Sequence, residues 1–266
     1  MYSDPYHDIY PAVELVLRDL IRNDDEYHKK HLRRIARTLH VFLDQKPEGR
    51  ILEIGTGGII PLALQELLPD SEVVVTNFAE DQEVSHTFAP SINGKTGKFQ
   101  AYNIDLEYDP IPEPDESFDW VLCCEVIEHM EIDPMAMLAE LNRVMKTGAS
   151  VLLTTPNIVS SRALTKMVYG LEPHFYMKYL ASREYHRHNY EYSIHTLMQV
   201  LKAAGFDGQI WTEDNFENGL TDVPARLKLA GFTINHIGDN IMTVAKKISE
   251  VQDRHPQVIY DGRIDW

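Results

Sequence analysis

ILEIGTGGII, residues 51–60, is the stretch that decides the fold, because an apolar run passes directly into glycines at Gly55, Gly57 and Gly58. Continuous apolar runs are typical of parallel strands that are buried on both faces. Glycine after such a strand lets the backbone turn sharply and approach a ligand closely. Ligands of open α/β sheets bind beyond the carboxyl ends of the strands. The stretch therefore predicts a strand that ends at a binding loop.

The spacing of the glycines separates the kinds of ligand that such a loop binds. A nicotinamide or flavin dinucleotide site has the pattern G-x-G-x-x-G, and its third glycine would fall at Ile60. A phosphate-binding P-loop needs Gly-Lys-Ser/Thr, and this stretch contains no lysine. Both kinds of pyrophosphate site are therefore disfavoured.

Composition and charge limit the class of protein. A chain of 266 residues, 44% of them hydrophobic, is long enough for one large domain with additions. The 41 acidic residues outnumber the 25 basic ones, and the net charge of −16 disfavours nucleic acid as a partner. No apolar run is long enough to cross a bilayer, and the polar start does not resemble a signal peptide. Cys123 and Cys124 fit a reducing cytoplasm, so we expect a cytoplasmic protein without a membrane partner.

From residue 50 onwards, strand patterns alternate with helix patterns. Apolar segments with strand-like composition occur at 51–55, 72–77, 99–106, 120–125 and 150–155. Helical periodicity occurs at 59–68 and 135–146. Continuous apolar strands that are separated by helices predict a parallel sheet with both faces covered.

Short signals place the ends of the later elements. We predict that Lys146, Thr147 and Gly148 close the helix at 135–146. Ser193 is the predicted N-cap of a helix that Gly205 ends. Two final strands are expected near 209–213 and 240–246.

The pattern divides the chain into five parts. We expect a helical cap, a first half of the sheet domain that binds the cofactor, an insertion or lid, a second half of the sheet domain, and a tail. Their predicted bounds are 1–46, 47–156, 157–190, 191–248 and 249–266.

Several motifs in order resemble those of one enzyme family. Glu53-Ile54-Gly55-Thr56-Gly57 resembles motif I (E/D-x-G-x-G) of the class I S-adenosylmethionine-dependent methyltransferases. The stretch at 103–130 ends in EVIEHM and resembles the next two motifs, with the "EH" signature of the ubiquinone-type subgroup. Segments at 141–157 and 188–206 resemble the helix-turn-strand and "L-x-x-A-G-F" regions of the family. The resemblance implies an α/β fold with a Rossmann-like, seven-stranded, mostly parallel sheet, helices on both faces, N-terminal helices and a lid insertion.

The resemblance also implies which residues bind S-adenosylmethionine. Glu53 would order the ammonium group and Asp105 would bond the adenine amino group, with Leu106 beside the ring. The full set of implied cofactor-binding residues is Glu53, Gly55, Thr56, Gly57, Asn77, Asp105, Leu106 and Glu125.

Two positions depart from the family pattern. Asn77 stands where the family has an acid that accepts both ribose hydroxyls, so either binding is weaker or Glu80 or Asp81 takes part. Tyr190 stands where the family has an arginine, which puts a substrate role for that position in doubt.

Methyl transfer to an alcohol benefits from a general base. His188 and His129 are the candidate bases, and Glu191 is a candidate to orient a base or a hydroxyl group. Each also has a structural interpretation. A histidine can bond to nearby backbone, and Glu191 can be a favourable charge at a helix N-terminus. Glu125 and Glu128 together with these histidines could hold a divalent metal ion, but their spacing is not diagnostic, and we expect no metal.

The acceptor is the open question. Aromatic and basic side chains of the insertion could stack on a ring, pair with a phosphate, or pack a homodimer interface; they are Tyr176, Tyr179, Arg183, Tyr185 and Arg187. We expect a methyltransferase that acts on an oxygen of a small-molecule acceptor, such as a sugar or sugar-containing metabolite. The alternatives are a quinone-like phenol, an amine, or a non-catalytic scaffold protein with a methyltransferase-like fold.

Overall fold

A computed structural model describes residues 9–21, 26–78, 83–173, 187–214 and 222–260 of the chain. The helices are α1 (Pro11–Leu20), α2 (Glu26–Asp44), α3 (Ile59–Leu67), α4 (Pro134–Val144), α5 (Ser161–Val168), α6 (Ile194–Ala203) and α7 (Asp222–Leu229), with a 3-10 turn at Ile127–His129. The strands are β1 (Arg50–Ile54), β2 (Glu72–Asn77), β3 (Ser85–Phe88), β4 (Ser91–Ile92), β5 (Lys95–Thr96), β6 (Phe99–Asn103), β7 (Phe118–Cys124), β8 (Met145–Pro156), β9 (Phe206–Glu213) and β10 (Asn240–Lys247).

One large sheet organises the fold, with strand order β3-β6-β2-β1-β7-β8-β10-β9. Strands β6, β2, β1, β7 and β8 run parallel to one another, whereas β10 runs antiparallel to β8 and β9. The predicted mostly parallel α/β sheet is therefore confirmed, including the final strand pair. An eighth strand, β3, extends the sheet by pairing antiparallel to β6. The strand order reverses between β1 and β7, so the crevice at their carboxyl ends is the expected ligand site.

Apolar side chains cover the sheet on both faces. Helices α1, α2 and α3 pack on one face, where the rings of Phe42 and Trp120 meet edge to face with centroids 5.2 Å apart. Helices α4 and α6 pack on the other, where Leu141 and Phe206 are fully buried. The methionines of α4, Met135 and Met137, lie in this core. In the described part of the chain, no helix is long and apolar enough to span a membrane.

Local signals explain where several helices begin. Ser193 caps α6 as predicted, with its hydroxyl accepting a hydrogen bond from Thr196 N at 3.2 Å. Asp133 caps α4 in the same way through Ala136 N at 3.2 Å, and Pro134 follows it. Pro at the first helical position has no N–H to leave unpaired.

The predicted end of the helix at 135–146 is wrong. Helix α4 ends at Val144, and Lys146, Thr147 and Gly148 lie in β8. The cause is tertiary, because Thr147 donates hydrogen bonds from its backbone N and from Oγ1 to Glu116 Oε1, at 3.1 and 2.7 Å. This pairing with the start of β7 draws the chain into a strand that no local pattern indicates.

Helices α5 and α7 and strand β3 have no counterpart among the predicted elements. Helix α5 lies in the segment 157–190 that we expect to form a lid, and residues 174–186 of that segment are outside the described residues. Asn157 fixes the start of this segment, since its side-chain amide donates to His236 O at 2.9 Å and to Gly238 O at 2.8 Å.

Candidate active site

The glycine loop follows β1 at the reversal of strand order. Gly55 has a φ of +72°, and a Cβ there would lie 2.9 Å from Val126 Cγ2, so glycine is needed for both conformation and space. Strand β2 holds the loop in place, because Gly55 N donates to Thr76 Oγ1 at 3.1 Å and Thr56 N donates to Thr76 O at 2.8 Å. Gly57 is exposed, and a Cβ there would meet nothing within 4 Å. The loop backbone therefore faces open space on the ligand side.

Glu53 lies at the base of this loop with only 3% of its surface exposed. Its Oε2 atom is buried without a hydrogen-bond partner among the described residues. Burial raises the pKa of Glu53 to about 8, although a hydrogen bond with Thr56 acts in the opposite direction. Such a carboxyl group gains from any ligand that brings a donor or a positive charge.

Asn77 ends β2, and Asp105 follows shortly after the end of β6 at the same edge of the sheet. The side-chain oxygen of Asn77 is buried and has no hydrogen-bond partner among the described residues. Asp105 Oδ1 accepts a hydrogen bond from Glu107 N at 3.0 Å, which orients the carboxylate. Leu106 beside it is buried. Glu80 and Asp81, the alternatives to Asn77 for the ribose, lie outside the described residues.

Glu125 ends β7 with a φ of +58°, a conformation that costs free energy for any residue other than glycine. Its Oε2 pairs with Arg34 Nη1 of α2 at 2.7 Å. Its Oε1 accepts hydrogen bonds from Thr154 Oγ1 at 2.8 Å and from Asn240 Nδ2 at 2.5 Å. Both carboxylate oxygens are thus engaged with protein groups, and the residue connects α2 to three strands.

The candidate catalytic residues converge beyond the turn that follows β7. The rings of His129 and His188 meet edge to face with centroids 4.9 Å apart. His188 Nδ1 lies 3.1 Å from Oε1 of Glu191, which is 8% exposed, and His129 Nδ1 lies 3.0 Å from Arg187 O. The sequence separates His129 and His188 widely, and the fold brings their rings into contact.

Glu128 completes this group. It is fully buried, Thr155 Oγ1 donates to its Oε2 at 2.9 Å, and its Oε1 has no hydrogen-bond partner among the described residues. Burial and the charge of Glu125 raise its pKa. We call Glu128, His129 and His188 the Glu-His-His cluster; one ligand atom of each lies within 4.8 Å of those of the other two.

Comparison with known proteins identifies the family. A family model described as a methyltransferase domain matches residues 27–209. The match spans most of the chain and includes the glycine loop and the Glu-His-His cluster. The chain belongs to this methyltransferase family. Among curated proteins, no sequence matches it.

Solved structures of other methyltransferases have the same fold. A SAM-dependent methyltransferase from Archaeoglobus fulgidus is 20% identical, with a TM-score of 0.54 over 84% of this chain and 100% of its own. A possible histamine N-methyltransferase from Thermotoga maritima is 18% identical, with a TM-score of 0.54 over 83% of this chain and 93% of its own. A SAM-dependent methyltransferase from Aquifex aeolicus is 14% identical, with a TM-score of 0.50 over 92% and 98% of the two chains. At these identities the likeness supports the fold alone.

S-adenosylmethionine is the cofactor of this methyltransferase, and the chemistry of the loop fits it. The cofactor offers an ammonium group and ribose hydroxyls as hydrogen-bond donors. Glu53 Oε2 and Asn77 Oδ1 are buried acceptors that lack a protein donor among the described residues. The open space beside Gly57 leaves room for a ligand next to them.

Some residues of the site carried no recognisable sequence signal. Arg34 lies in a helix with many charges, and nothing in its spacing distinguishes it from its neighbours. Thr76 and Thr155 are strand residues. Their hydroxyl groups form hydrogen bonds with Gly55 and Glu128 only because the fold places them side by side. Other candidates lie outside the described residues, namely Tyr176, Tyr179, Arg183 and Tyr185.

Proposed function

We propose that this methyltransferase transfers a methyl group to a hydroxyl oxygen of a small-molecule acceptor, a sugar or a sugar-containing metabolite. The observation that carries the proposal is the pair of His188 and Glu191 at 3.1 Å, beside His129 and Glu128. An alcohol needs help to lose its proton, whereas a phenol or an amine needs less. A buried carboxylate that holds a histidine in one orientation supports the harder reaction.

On the cofactor side, the proposal assigns a group to each strand end. Glu53 would bind the ammonium group, Asn77 the ribose hydroxyls and Asp105 the adenine amino group. Bound there, S-adenosylmethionine supplies a methyl group activated by its sulfonium. Glu125 acts through Arg34, Thr154 and Asn240 to hold the β7 end beside the loop, which makes it a positioning residue.

On the acceptor side, the Glu-His-His cluster is where the hydroxyl binds and loses its proton. Glu191 Oε1 accepts a hydrogen bond from His188 Nδ1, so the neutral imidazole carries its lone pair on Nε2. The hydroxyl group of Thr155 donates a hydrogen bond to Glu128 Oε2, with 2.9 Å between the two oxygen atoms. The two free cysteines, Cys123 and Cys124, support a cytoplasmic location for the enzyme.

An amine acceptor is the second candidate. The unpartnered Oε1 of buried Glu128 supports it, because an ammonium group would pair with that charge. A cationic substrate would bind through Glu128 alone, whereas a hydroxyl substrate also needs His188.

The test combines an acceptor screen with two variants that act on opposite sides of the site. Sugars, phenols and amines are screened by the formation of S-adenosylhomocysteine, and binding of that product is measured by calorimetry. Asp105→Ala should weaken product binding by about 1–3 kcal/mol, the usual cost of a lost buried partner. His188→Ala should lower kcat on a sugar at least a hundredfold with product affinity unchanged.

Three results would contradict the proposal. Turnover of amines alone would favour the second candidate. Wild-type turnover in His188→Ala would remove His188 from the reaction, and unchanged affinity in Asp105→Ala would refute the placement of adenine.

A further inference from the structure

The Glu-His-His cluster has features that proton transfer does not require. Its three residues come from two distant parts of the chain, yet one ligand atom of each lies within 4.8 Å of the other two. Metal–ligand bonds of about 2.1 Å place neighbouring ligand atoms about 3 Å apart.

Both histidines are held in the form that binds a metal ion. His129 Nδ1 faces the backbone oxygen of Arg187 at 3.0 Å, and His188 Nδ1 faces the carboxylate of Glu191 at 3.1 Å. These neighbours are acceptors only, so each Nδ1 carries the proton and each Nε2 carries the lone pair. Metal-binding histidines almost always donate their other N–H to a carboxylate or a carbonyl in this manner.

Within the described parts of the chain, no lysine or arginine forms an ion pair with the carboxyl group of Glu128. Glu128 is fully buried, and its Oε1, 3.9 Å from His129 Nε2, has no hydrogen-bond partner among the described residues. Arg34 pairs with the neighbouring Glu125. A buried carboxylate is stable only when a cation or hydrogen-bond donors face it.

We propose that Glu128, His129 and His188 bind one divalent transition-metal ion, with Glu191 as a positioning residue for His188. Two imidazoles and one carboxylate suit Mn²⁺, Fe²⁺, Co²⁺ or Zn²⁺, whereas Mg²⁺ and Ca²⁺ prefer oxygen ligands alone. The proposal departs from our expectation, based on spacing in the sequence, that the protein binds no metal.

The inference also narrows the acceptor, and in this respect it rests on the proposed function. Three protein ligands leave open positions on an ion of this kind. Two neighbouring oxygen atoms of one acceptor would fill them, which favours a sugar with vicinal hydroxyls over a single alcohol. The ion would lower the pKa of the bound hydroxyl, as it does for bound water.

Direct metal binding tests the proposal without measuring turnover. Tag-free protein is stripped with a chelator and titrated with Mn²⁺, and the free ion is followed by electron paramagnetic resonance. We expect one ion per chain. Glu128→Gln and His188→Ala should each weaken binding at least tenfold. His195→Ala is the matched control, because this exposed histidine of α6 lies outside the cluster, and its affinity should equal that of the wild type.

Glu191 has a distinct expected behaviour. Glu191→Gln retains an oxygen that accepts the hydrogen bond of His188 Nδ1, so it should bind Mn²⁺ more tightly than Glu191→Ala does. Equal loss in both would show a structural role and contradict the positioning role. Binding of S-adenosylhomocysteine to each variant shows that the fold is intact.

The proposal is overturned if the wild type binds less than about one tenth of an ion per chain, or if Glu128→Gln and His188→Ala bind as the wild type does. Stoichiometric binding with no turnover of any acceptor would instead reject the proposed function and retain the metal site. Retained turnover of sugars in chelator-treated protein would overturn the inference that the ion binds the acceptor.

Discussion

Glu53 shows how one residue can couple ligand binding to folding. The carboxyl group is buried beneath the glycine loop, and its pKa is raised to about 8 because burial disfavours the charged form. Between its ordinary value of 4.5 and about 8, the folded chain keeps a proton on Glu53 that the unfolded chain loses. The folded state binds more protons in that range, so its stability falls as the pH rises.

Replacing Glu53 with glutamine should remove this dependence on pH. The amide has nearly the same shape without the charge. Between pH 5 and pH 8, the free energy of unfolding should therefore decrease by roughly 2–4 kcal/mol less in Glu53→Gln than in the wild type, at about 1.4 kcal/mol per pKa unit. Urea unfolding of the ligand-free protein at several pH values measures this dependence of the unfolding free energy on pH. Glu48→Gln, at an exposed position, is the control and should keep the wild-type slope. Parallel pH curves for Glu53→Gln and the wild type would contradict the burial of an uncharged Glu53.

At the scale of elements, helix α2 is joined to the carboxyl edge of the sheet by two ion pairs. Arg34 reaches Glu125 at the end of β7, and both side chains are largely buried, with 17% and 14% exposed. Arg37 reaches Glu213 at the end of β9 at 3.0 Å. The helix packs its apolar side against the sheet, and these pairs join its central part to the ends of β7 and β9.

Removing Arg34 should therefore destabilise the fold more than removing an exposed arginine. Arg34→Ala leaves the carboxylate of Glu125 without its cation in a site with little solvent, and we expect a loss of roughly 1–3 kcal/mol. Arg18→Ala breaks an exposed pair with Glu14 within α1, with 57% and 33% exposed, and should cost less than about 0.5 kcal/mol. The denaturant midpoints of the two variants measure their losses of stability. Equal losses in Arg34→Ala and Arg18→Ala would mean that the Arg34 pair is not buried in solution.

On the scale of the whole molecule, one sheet separates two apolar cores. Phe42 lies in the core beneath α1, α2 and α3, and Phe206 lies in the core beneath α4 and α6; both are fully buried. Every central strand contributes side chains to both cores, as alternation along a strand requires. The two layers therefore share the same backbone and should unfold together.

Large-to-small substitutions in either core test this coupling. Phe42→Ala and Phe206→Ala should each lower the free energy of unfolding by roughly 3–5 kcal/mol. In both variants, the transitions followed by far-UV circular dichroism and by tryptophan fluorescence should coincide. Phe232→Ala, at a position that is 62% exposed, should change stability by less than about 0.5 kcal/mol. Separate transitions in Phe42→Ala would show that the N-terminal helices unfold independently of the sheet.

The resemblance of several motifs to one methyltransferase family implied the class of cofactor. Periodicity and glycine placement predicted the positions of the central strands along the chain and the glycine loop. Those features are local, because a buried parallel strand must be apolar throughout and a loop that approaches a ligand needs glycine. The departure at Asn77 was also visible as a single residue at the end of a strand pattern.

Only the tertiary structure decided which polar groups meet. Thr147 lies in a strand because Glu116 pairs with it across 31 residues, and Arg34 reaches Glu125 across 91 residues. The fold likewise brings Glu128 and His129 beside His188, although their spacing in the sequence was not diagnostic of a metal site. Such contacts depend on sheet register and helix packing, which a one-dimensional pattern does not specify. The sequence alone predicted a methyl-donor site at the glycine loop, and only the fold brought Glu128, His129 and His188 together.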